Sequence, residues 1–282
     1  MAVNTCETPE VQPLEAKGSL LEYHVTHFRR GPSENAFFWS RMGVKPDFDG
    51  ARVLEIGSGW GALAMEIGAA GAERVVGIDL MQSRLGFASR YLQEERPELE
   101  GIVKFYCIDL KDYPDEHFTL AVTKDAFEHV MDLPEMLAEI HQRLAPGGKL
   151  YAGFGPLYPS PYGDHSCRRE ILKHWGPLGR LLAKLPWGHL LLERVLVGVH
   201  NRRNEKKIDS LRSFGLNKLA FSDYERILRE SDFDVVALHT NRGGKVSSRI
   251  LSFLARVPFL RDCCIHNVFY ILEKKDAEEP CA

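Results

Sequence analysis

The 282-residue sequence lacks the features that mark several large classes of protein. It has no uninterrupted apolar segment approaching the roughly 18–20 residues that a membrane-spanning helix needs. Its first twenty residues do not combine a basic start with an apolar run, so no secretory signal is predicted. Internal repeats and low-complexity tracts are missing too. We therefore expect a globular protein without a transmembrane segment.

Cysteine is present, but without the spacing of a metal site. The sequence has no Cys-x-x-Cys pair and no zinc-type pattern, so we predict no metal and reduced thiols in a cytoplasmic protein. The formal net charge of −3 also argues against a dedicated nucleic-acid binder, and no such partner is predicted. The six cysteines stand at positions 6, 107, 167, 263, 264 and 281.

The sequence does contain a glycine-rich turn between two apolar runs. Residues 52–56 predict a buried parallel strand, and Gly57, Gly59 and Gly61 follow it. Because glycine has no Cβ, the backbone can pass close to a ligand here. The helix predicted over 62–68 aims its first N–H groups at the same crevice. The second apolar run ends in Asp79, whose carboxylate can accept ribose hydroxyls, so this half of the sheet is predicted to bind a nucleoside.

Two cofactors fit this turn. Read as Gly57-x-Gly59-x-x-Ala62, it is a dinucleotide fingerprint, with Asp79 placed for a nicotinamide ribose. Read as Glu55-x-Gly57-x-Gly59-x-Gly61, it resembles motif I of the class I S-adenosylmethionine-dependent methyltransferases.

The resemblance to methyltransferases continues along the chain. Residues 105–110 resemble the family's third strand and its adenine-contacting acid, and residues 120–130 resemble its fourth strand and the segment after it. Residues 144–150 contain the Pro-Gly-Gly turn that leads into the fifth strand. A dehydrogenase gives no reason for Asp109 or for this turn. Four motifs in order therefore favour an S-adenosylmethionine-dependent methyltransferase, which would be an enzyme.

The resemblance implies an α/β fold with a Rossmann-like, doubly wound sheet of seven strands. The sheet would be mostly parallel with an antiparallel last strand, and a helical cap would be inserted. S-adenosylmethionine is the implied cofactor, with Asp79 on its ribose, Asp109 on its adenine and Glu55 near its ammonium end. The methionine part would lie against the Gly57–Gly61 turn. Further cofactor contacts are implied for Ser58, Leu80, Leu110 and Lys124.

Four segments are predicted: an N-terminal helical lid (1–48), the cofactor-binding core (49–155), a cap (156–220), and a C-terminal part of the sheet with a helical insert (221–275). The lid is expected as two short helices broken at residues 31–33, with Ser33 as an N-cap. Tyr23, His24 and His27 are its candidate residues over the cofactor. Alternatively, its aromatic residues pack on the sheet and its histidines are polar surface.

The cap differs in charge from the rest of the chain. Residues 166–215 contain eleven Lys or Arg and four Asp or Glu, a net charge of +7 that leaves −10 elsewhere. Apolar residues recur between them at helical spacing. The segment is either an amphipathic cover for a hydrophobic acceptor, a surface that touches a membrane peripherally, or an ordinary helical insert with a basic outer face.

The methyl acceptor is predicted to be a small, hydrophobic molecule, methylated at oxygen with a histidine as general base. His165 ranks first because Asp164 is placed to orient its ring, followed by His129 and His189. Methylation at carbon or nitrogen stays open, as does the oligomeric state. Asp164, His165 and His189 lack metal-ligand spacing.

Two other functions stay open. One is a fold relative that binds the cofactor but catalyses a non-methyl reaction, such as a cyclisation. The other is a non-catalytic subunit that binds a partner through basic cap residues. Those residues would be Arg168, Arg169, Arg202 and Arg203.

Overall fold

The structure is a computed structural model that describes residues 19–114, 116–243 and 246–275. Its strands are β1 (Arg52–Ile56), β2 (Arg74–Ile78), β3 (Val103–Tyr106), β4 (Phe118–Lys124), β5 (Leu144–Phe154), β6 (Phe233–Thr240) and β7 (Val268–Lys274). They form one seven-stranded sheet in the order β3-β2-β1-β4-β5-β7-β6. The pairs among β1 to β5 are parallel, and β7 is antiparallel to both β5 and β6. The predicted fold class is confirmed.

Helices connect the strands and extend the chain beyond the sheet. They are α1 (Ser19–Met42), α2 (Ala62–Ala69), α3 (Gln82–Glu95), α4 (Leu133–Arg143), α5 (Cys167–Leu172), α6 (Gly176–Ala183), α7 (Gly188–Arg203), α8 (Phe221–Glu230), α9 (Val246–Leu254) and α10 (Arg261–Cys264). Within the described residues, no helix is both long and apolar enough to cross a bilayer. The four cysteines in the described ranges are free thiols, and Cys6 and Cys281 lie outside them.

Two apolar clusters cover the two faces of the sheet because successive strand side chains point in opposite directions. Val53 packs in one cluster and its neighbour Leu54 in the other, and both are fully buried. A third cluster holds the cap together around Leu172, Leu196 and Leu211. The cap therefore has a small core of its own beside the carboxyl end of β5.

The prediction of two short N-terminal helices is wrong, because α1 runs without a break through Pro32. Ser33 does not cap a helix; its hydroxyl donates to the Arg30 carbonyl at 2.8 Å. Gly31 has a packing role, since a Cβ there would lie 2.3 Å from the Cβ of Ala62 at the start of α2. The Gly-Pro-Ser sequence thus marks a close approach of two helices.

The expected Pro-Gly-Gly turn lies within β5. Phe118 pairs with Leu144 and Leu120 pairs with Lys149, so the residues between Leu144 and Lys149 bulge from the sheet. Gly147 has a φ of +67°, a left-handed conformation that favours glycine. At the start of α8, the carboxylate of Asp223 in the first turn accepts from the Ala220 N–H at 2.9 Å.

Candidate active site

The glycine turn joins β1 to α2 with its backbone in left-handed conformations. The φ angles of Gly57, Gly59 and Gly61 are +78°, +52° and +78°. A Cβ on Gly57 would lie 2.8 Å from the Cβ of Ala126 in the segment after β4. At the three glycines the turn therefore presents backbone that no Cβ covers, next to the end of a neighbouring strand.

We expect Gly61→Ala to destabilise the protein by about 2–4 kcal/mol, through backbone strain and steric overlap. A Cβ at Gly61 would lie 2.5 Å from Phe105 Cζ and 2.9 Å from the Cβ of Ala88. Gly147→Ala is the matched control, because Gly147 has a φ of +67° but no atom within 4 Å of its Cβ position. Urea unfolding of both variants separates strain from overlap; equal losses would contradict a steric role for the turn.

Asp79 lies directly after β2 and is fixed by the turn opposite it. Its Oδ2 accepts from the Gly59 N–H at 2.9 Å, and its Oδ1 accepts from the Met81 N–H at 2.8 Å. A carboxylate has about four lone-pair sites, so acceptor capacity remains on this half-buried side chain. The carboxylate is held ready to accept two more hydrogen bonds.

Glu55 is a buried carboxyl group with an unused oxygen. The side chain is 3% exposed, and its Oε2 has no hydrogen-bond partner within the described part of the chain. Burial raises the pKa of Glu55 to about 8, against the opposing effect of the nearby Lys124 ammonium. Such an orphaned acceptor beside the turn suits a cationic ligand group.

Lys124, at the end of β4, joins a polar network under α1. Its ammonium donates to Asn35 Oδ1 at 2.7 Å, and the Asn35 amide donates to Glu66 Oε2 at 2.9 Å. Lys45 completes the network at 2.7 Å from Glu66 Oε1. Asn35 is fully buried, so this network fixes α1 against α2 and the end of β4.

Trp60, within the turn, is covered by the first half of α1. Its indole N–H donates to His24 Nδ1 at 2.9 Å, and the His27 ring stacks on it at 4.6 Å. The Arg84 guanidinium lies 4.5 Å from the indole centroid. His24 is 3% exposed, and burial lowers its pKa, in keeping with a neutral ring that accepts from Trp60. The alternative that His24 is polar surface is therefore wrong.

The remaining predicted cofactor residues lie around the same end of the sheet. Asp109 follows β3 and accepts from the Lys111 N–H at 3.3 Å. Leu80 follows Asp79 with 72% of its area exposed, whereas Leu110 is buried in the core, which leaves its backbone to make contacts. Ser58 is buried, with a hydroxyl that has no partner in the described ranges.

Comparison with known proteins assigns this arrangement to a family. Residues 54–152, which include the turn, Asp79 and Asp109, match the family model described as a methyltransferase domain. Residues 54–152 form a methyltransferase domain. The resemblance to S-adenosylmethionine-dependent methyltransferases is thereby confirmed.

The individual relatives match about half of this chain. Phosphoethanolamine N-methyltransferase 2 of Caenorhabditis elegans is 30% identical over 139 residues, which are 48% of this chain and 30% of that protein. The ubiquinone biosynthesis O-methyltransferase of Ruegeria pomeroyi is 29% identical over 49% of this chain and 54% of its own length. Both matches span less than two thirds of the relative.

A solved structure shows the same fold at low sequence identity. It is an S-adenosylmethionine-dependent methyltransferase from Mesorhizobium loti, with a TM-score of 0.51 and 16% identity. The similarity covers 87% of this chain and 97% of that chain. The methyltransferase fold thus extends well beyond the matched domain.

His129, in the segment after β4, faces His165, in the loop after β5. Their ring centroids are 5.1 Å apart. His129 Nδ1 donates to the Gly215 carbonyl at 2.8 Å, and His165 Nε2 donates to the Pro156 carbonyl at 2.8 Å. Because a carbonyl only accepts, each ring keeps its other nitrogen as an acceptor. Burial lowers the pKa of His165, which favours the neutral ring.

Asp164 does not orient His165, contrary to the sequence-based expectation. Its carboxylate accepts from the Arg168 N–H at 2.9 Å and from the guanidinium at 3.2 Å. The backbone turns at His165, with a φ of +46°, and the ring hydrogen-bonds to the Pro156 carbonyl. Arg168 is 1% exposed, so the predicted partner surface cannot include it.

His189 lies inside the cap. It is fully buried, and its Nε2 donates to the Tyr158 carbonyl at 2.6 Å. Its Nδ1 is 3.8 Å from Asp164 Oδ1, and burial lowers the pKa of the ring. A fully buried ring in this place packs the cap.

Glu128 stands beside the two facing histidines. One ligand atom from each of Glu128, His129 and His165 lies within 4.8 Å of the others. Glu128 Oε1 accepts from the Gly155 N–H at 3.3 Å, and burial raises the pKa of this carboxyl to about 8. The group therefore ties the end of β4 to the loop after β5 that carries His165.

Sequence reasoning missed Trp60, Asn35 and Glu128 as parts of the site. Trp60 lies between Gly59 and Gly61 of the glycine motif, and Glu128 precedes His129 in the segment after β4. Asn35 gave no signal, because its role depends on α1 folding over Lys124 and Glu66.

Proposed function

We propose that this protein transfers a methyl group from S-adenosylmethionine to an oxygen of a small molecule. The observation that carries the proposal is the set of groups at the glycine turn: the uncovered backbone of three glycines, the fixed Asp79 carboxylate and the orphaned Glu55 oxygen. Asp79 would accept from the ribose hydroxyls, Asp109 from the adenine amino group and Glu55 from the ammonium. Relatives named as an N-methyltransferase and an O-methyltransferase support methyl transfer, and the choice of oxygen depends on the two facing histidines.

When bound, S-adenosylmethionine supplies an activated methyl group. The chain's own residues would align the acceptor, and such positioning is worth roughly 7–11 kcal/mol of the barrier. His165 Nδ1, which has no hydrogen-bond partner among the described residues, would accept the hydroxyl proton while Nε2 stays on the Pro156 carbonyl. His129 is the second base candidate, since its Nε2 is the nitrogen left open. The α1 residues on Trp60 would exclude water.

The cofactor is tested by calorimetric titration with S-adenosylhomocysteine, with NAD as the control. We expect micromolar binding of the first and none of the second. The reaction is tested by incubating the protein with S-adenosylmethionine and with phenolic or isoprenoid acceptors that carry a hydroxyl group. The molecular masses of the products are then measured by mass spectrometry. A gain of one methyl supports the proposal; an unchanged mass in a converted acceptor supports a cyclisation instead.

Binding of S-adenosylhomocysteine near pH 7 should release a proton from Glu55. The pKa of this carboxyl is about 8 in the free protein, so the group is largely protonated at pH 7. A bound ammonium favours the carboxylate and so lowers that pKa. Titrations at pH 7 in buffers of different ionisation enthalpy measure the released proton.

Glu55→Gln is the matched variant for the proton release. It keeps the shape of the side chain but carries no ionisable proton, so we expect weaker binding and no release from this position. Proton release that persists unchanged in Glu55→Gln would show that another group titrates.

A further inference from the structure

A basic pocket of about 680 Å³ opens beside His165. Its walls come from the loop after β5, from α5 and α6, and from the segment that leads into β7. His165 and Pro156 line it, so one wall belongs to the proposed acceptor side of the active site. Arg169, Arg180 and Lys184 also line it.

The positive charge of this pocket is not neutralised by the protein. Its one acidic lining residue, Asp164, is already paired with Arg168 at 3.2 Å. Within the described part of the chain, the side chains of Arg169, Arg180 and Lys184 make no ion pair or hydrogen bond. All three are exposed at the pocket rim. Three unpaired cations around one cavity repel each other, and a bound anion would offset that cost.

The charge and the donor geometry favour a phosphate group. A phosphate ester carries a charge of about −1.5 to −2 at pH 7, which matches several cations better than a single carboxylate does. Guanidinium groups bind phosphate oxygens with two parallel hydrogen bonds, and a lysine adds a point charge. A phosphate or diphosphate can therefore pair with the cations of the pocket, which a neutral apolar molecule cannot do.

The pocket is connected to the cofactor turn by a chain of contacts. Ala126 lies against Gly57 of the turn, and His129, three residues further on, faces the His165 ring at 5.1 Å. His165 then lines the pocket. A molecule with its anionic group between α5 and α6 thus has the two candidate bases at its other end.

We propose that this pocket holds the phosphate or diphosphate group of the methyl acceptor. The inference rests on the proposed function, because it assigns the pocket to the same reaction. It changes the expected acceptor class from a purely hydrophobic molecule to a phosphorylated one. The phosphate could be carried by a soluble ester or by the headgroup of a lipid, and the experiment separates the two.

The test uses the full chain, with inorganic pyrophosphate as the probe in calorimetric titrations. The pocket variant Arg180→Gln/Lys184→Gln removes two exposed cations that line the cavity. The matched control Arg194→Gln/Arg202→Gln removes two exposed cations of α7 that do not line it. We expect the pocket variant to bind pyrophosphate at least tenfold more weakly than wild type, and the control to stay within twofold.

A second arm measures flotation with phosphatidylcholine vesicles that contain phosphatidic acid. Loss of pyrophosphate binding in the pocket variant supports a soluble ester, and loss of vesicle binding supports a lipid-borne phosphate. Binding of neither probe by wild type, or an equal loss in the control variant, would overturn the proposal. Affinity for S-adenosylhomocysteine is measured in parallel and should be unchanged in both variants. Its absence in wild type would instead count against the proposed function.

Discussion

Replacing Asp79 with alanine should reduce the affinity for S-adenosylhomocysteine by about a hundredfold or more. The carboxylate is fixed by the N–H groups of Gly59 and Met81, at 2.9 and 2.8 Å, and offers its remaining lone pairs to the ribose hydroxyls. Each hydrogen bond to a charged group contributes about 1.5–3 kcal/mol, so the loss of two of them reaches that size. The measurement is the dissociation constant from calorimetry.

The matched control for this variant is Asp234→Ala. Asp234 is an exposed aspartate on β6, at the far edge of the sheet, and its removal takes away the same charge. The thermal unfolding of both variants should also be compared, because Asp79 bonds to the turn itself. Unaltered affinity in a folded Asp79→Ala protein would rule out the ribose assignment. Weakened affinity in Asp234→Ala would point to a general charge effect.

Local sequence predicted the cofactor half of the fold well. The apolar runs and the positions of the glycines predict β1, the turn and β2 within a few residues. A buried parallel strand and a glycine turn each depend on neighbours in sequence. Asp79 and Asp109 follow β2 and β3, which are neighbours in the sheet. These elements need no information from distant parts of the chain.

The errors occurred where helix packing and the choice of side-chain partner decide the structure. Gly31 and Pro32 favour a helix break, yet α1 continues because Gly31 packs against Ala62 of another helix. Asp164 precedes His165 in sequence, but Arg168, one helical turn further on, takes its carboxylate. Proximity in sequence was therefore a poor guide to side-chain partners in the cap.

In the cap, the burial of each cation decides whether its charge is available to a ligand. Its net charge of +7 was visible in the sequence, but the partner hypothesis grouped Arg168 with Arg169. Arg168 is buried on Asp164, whereas Arg169 faces a cavity that also contains His165. Part of the surplus charge, on Arg169, Arg180 and Lys184, thus lies on the acceptor side of the proposed active site, which is why we place a phosphate there.

Replacing His165 with alanine should lower turnover by about a hundredfold to ten-thousandfold, the range of general-base catalysis, while S-adenosylhomocysteine still binds. The ring is held through Nε2 on the Pro156 carbonyl, which leaves Nδ1 to accept the acceptor's proton. Burial lowers its pKa below the ordinary value of 6.5, so the ring is neutral at pH 7. Turnover should therefore decline only as the pH falls below about 6.5.

His165→Gln separates a base from a structural side chain. Its amide can still donate to the Pro156 carbonyl, but it cannot take up a proton near neutral pH. Turnover is measured as adenosylhomocysteine formation with an acceptor that gains one methyl in the product-mass assay. If His165 is the base, His165→Gln is as inactive as His165→Ala; recovery in the glutamine variant indicates a positioning role. Turnover that survives in both variants but is lost in His129→Ala would identify His129 as the base. Its ring centroid lies 5.1 Å from that of His165. The acceptor's hydroxyl would then lie nearer to the glycine turn.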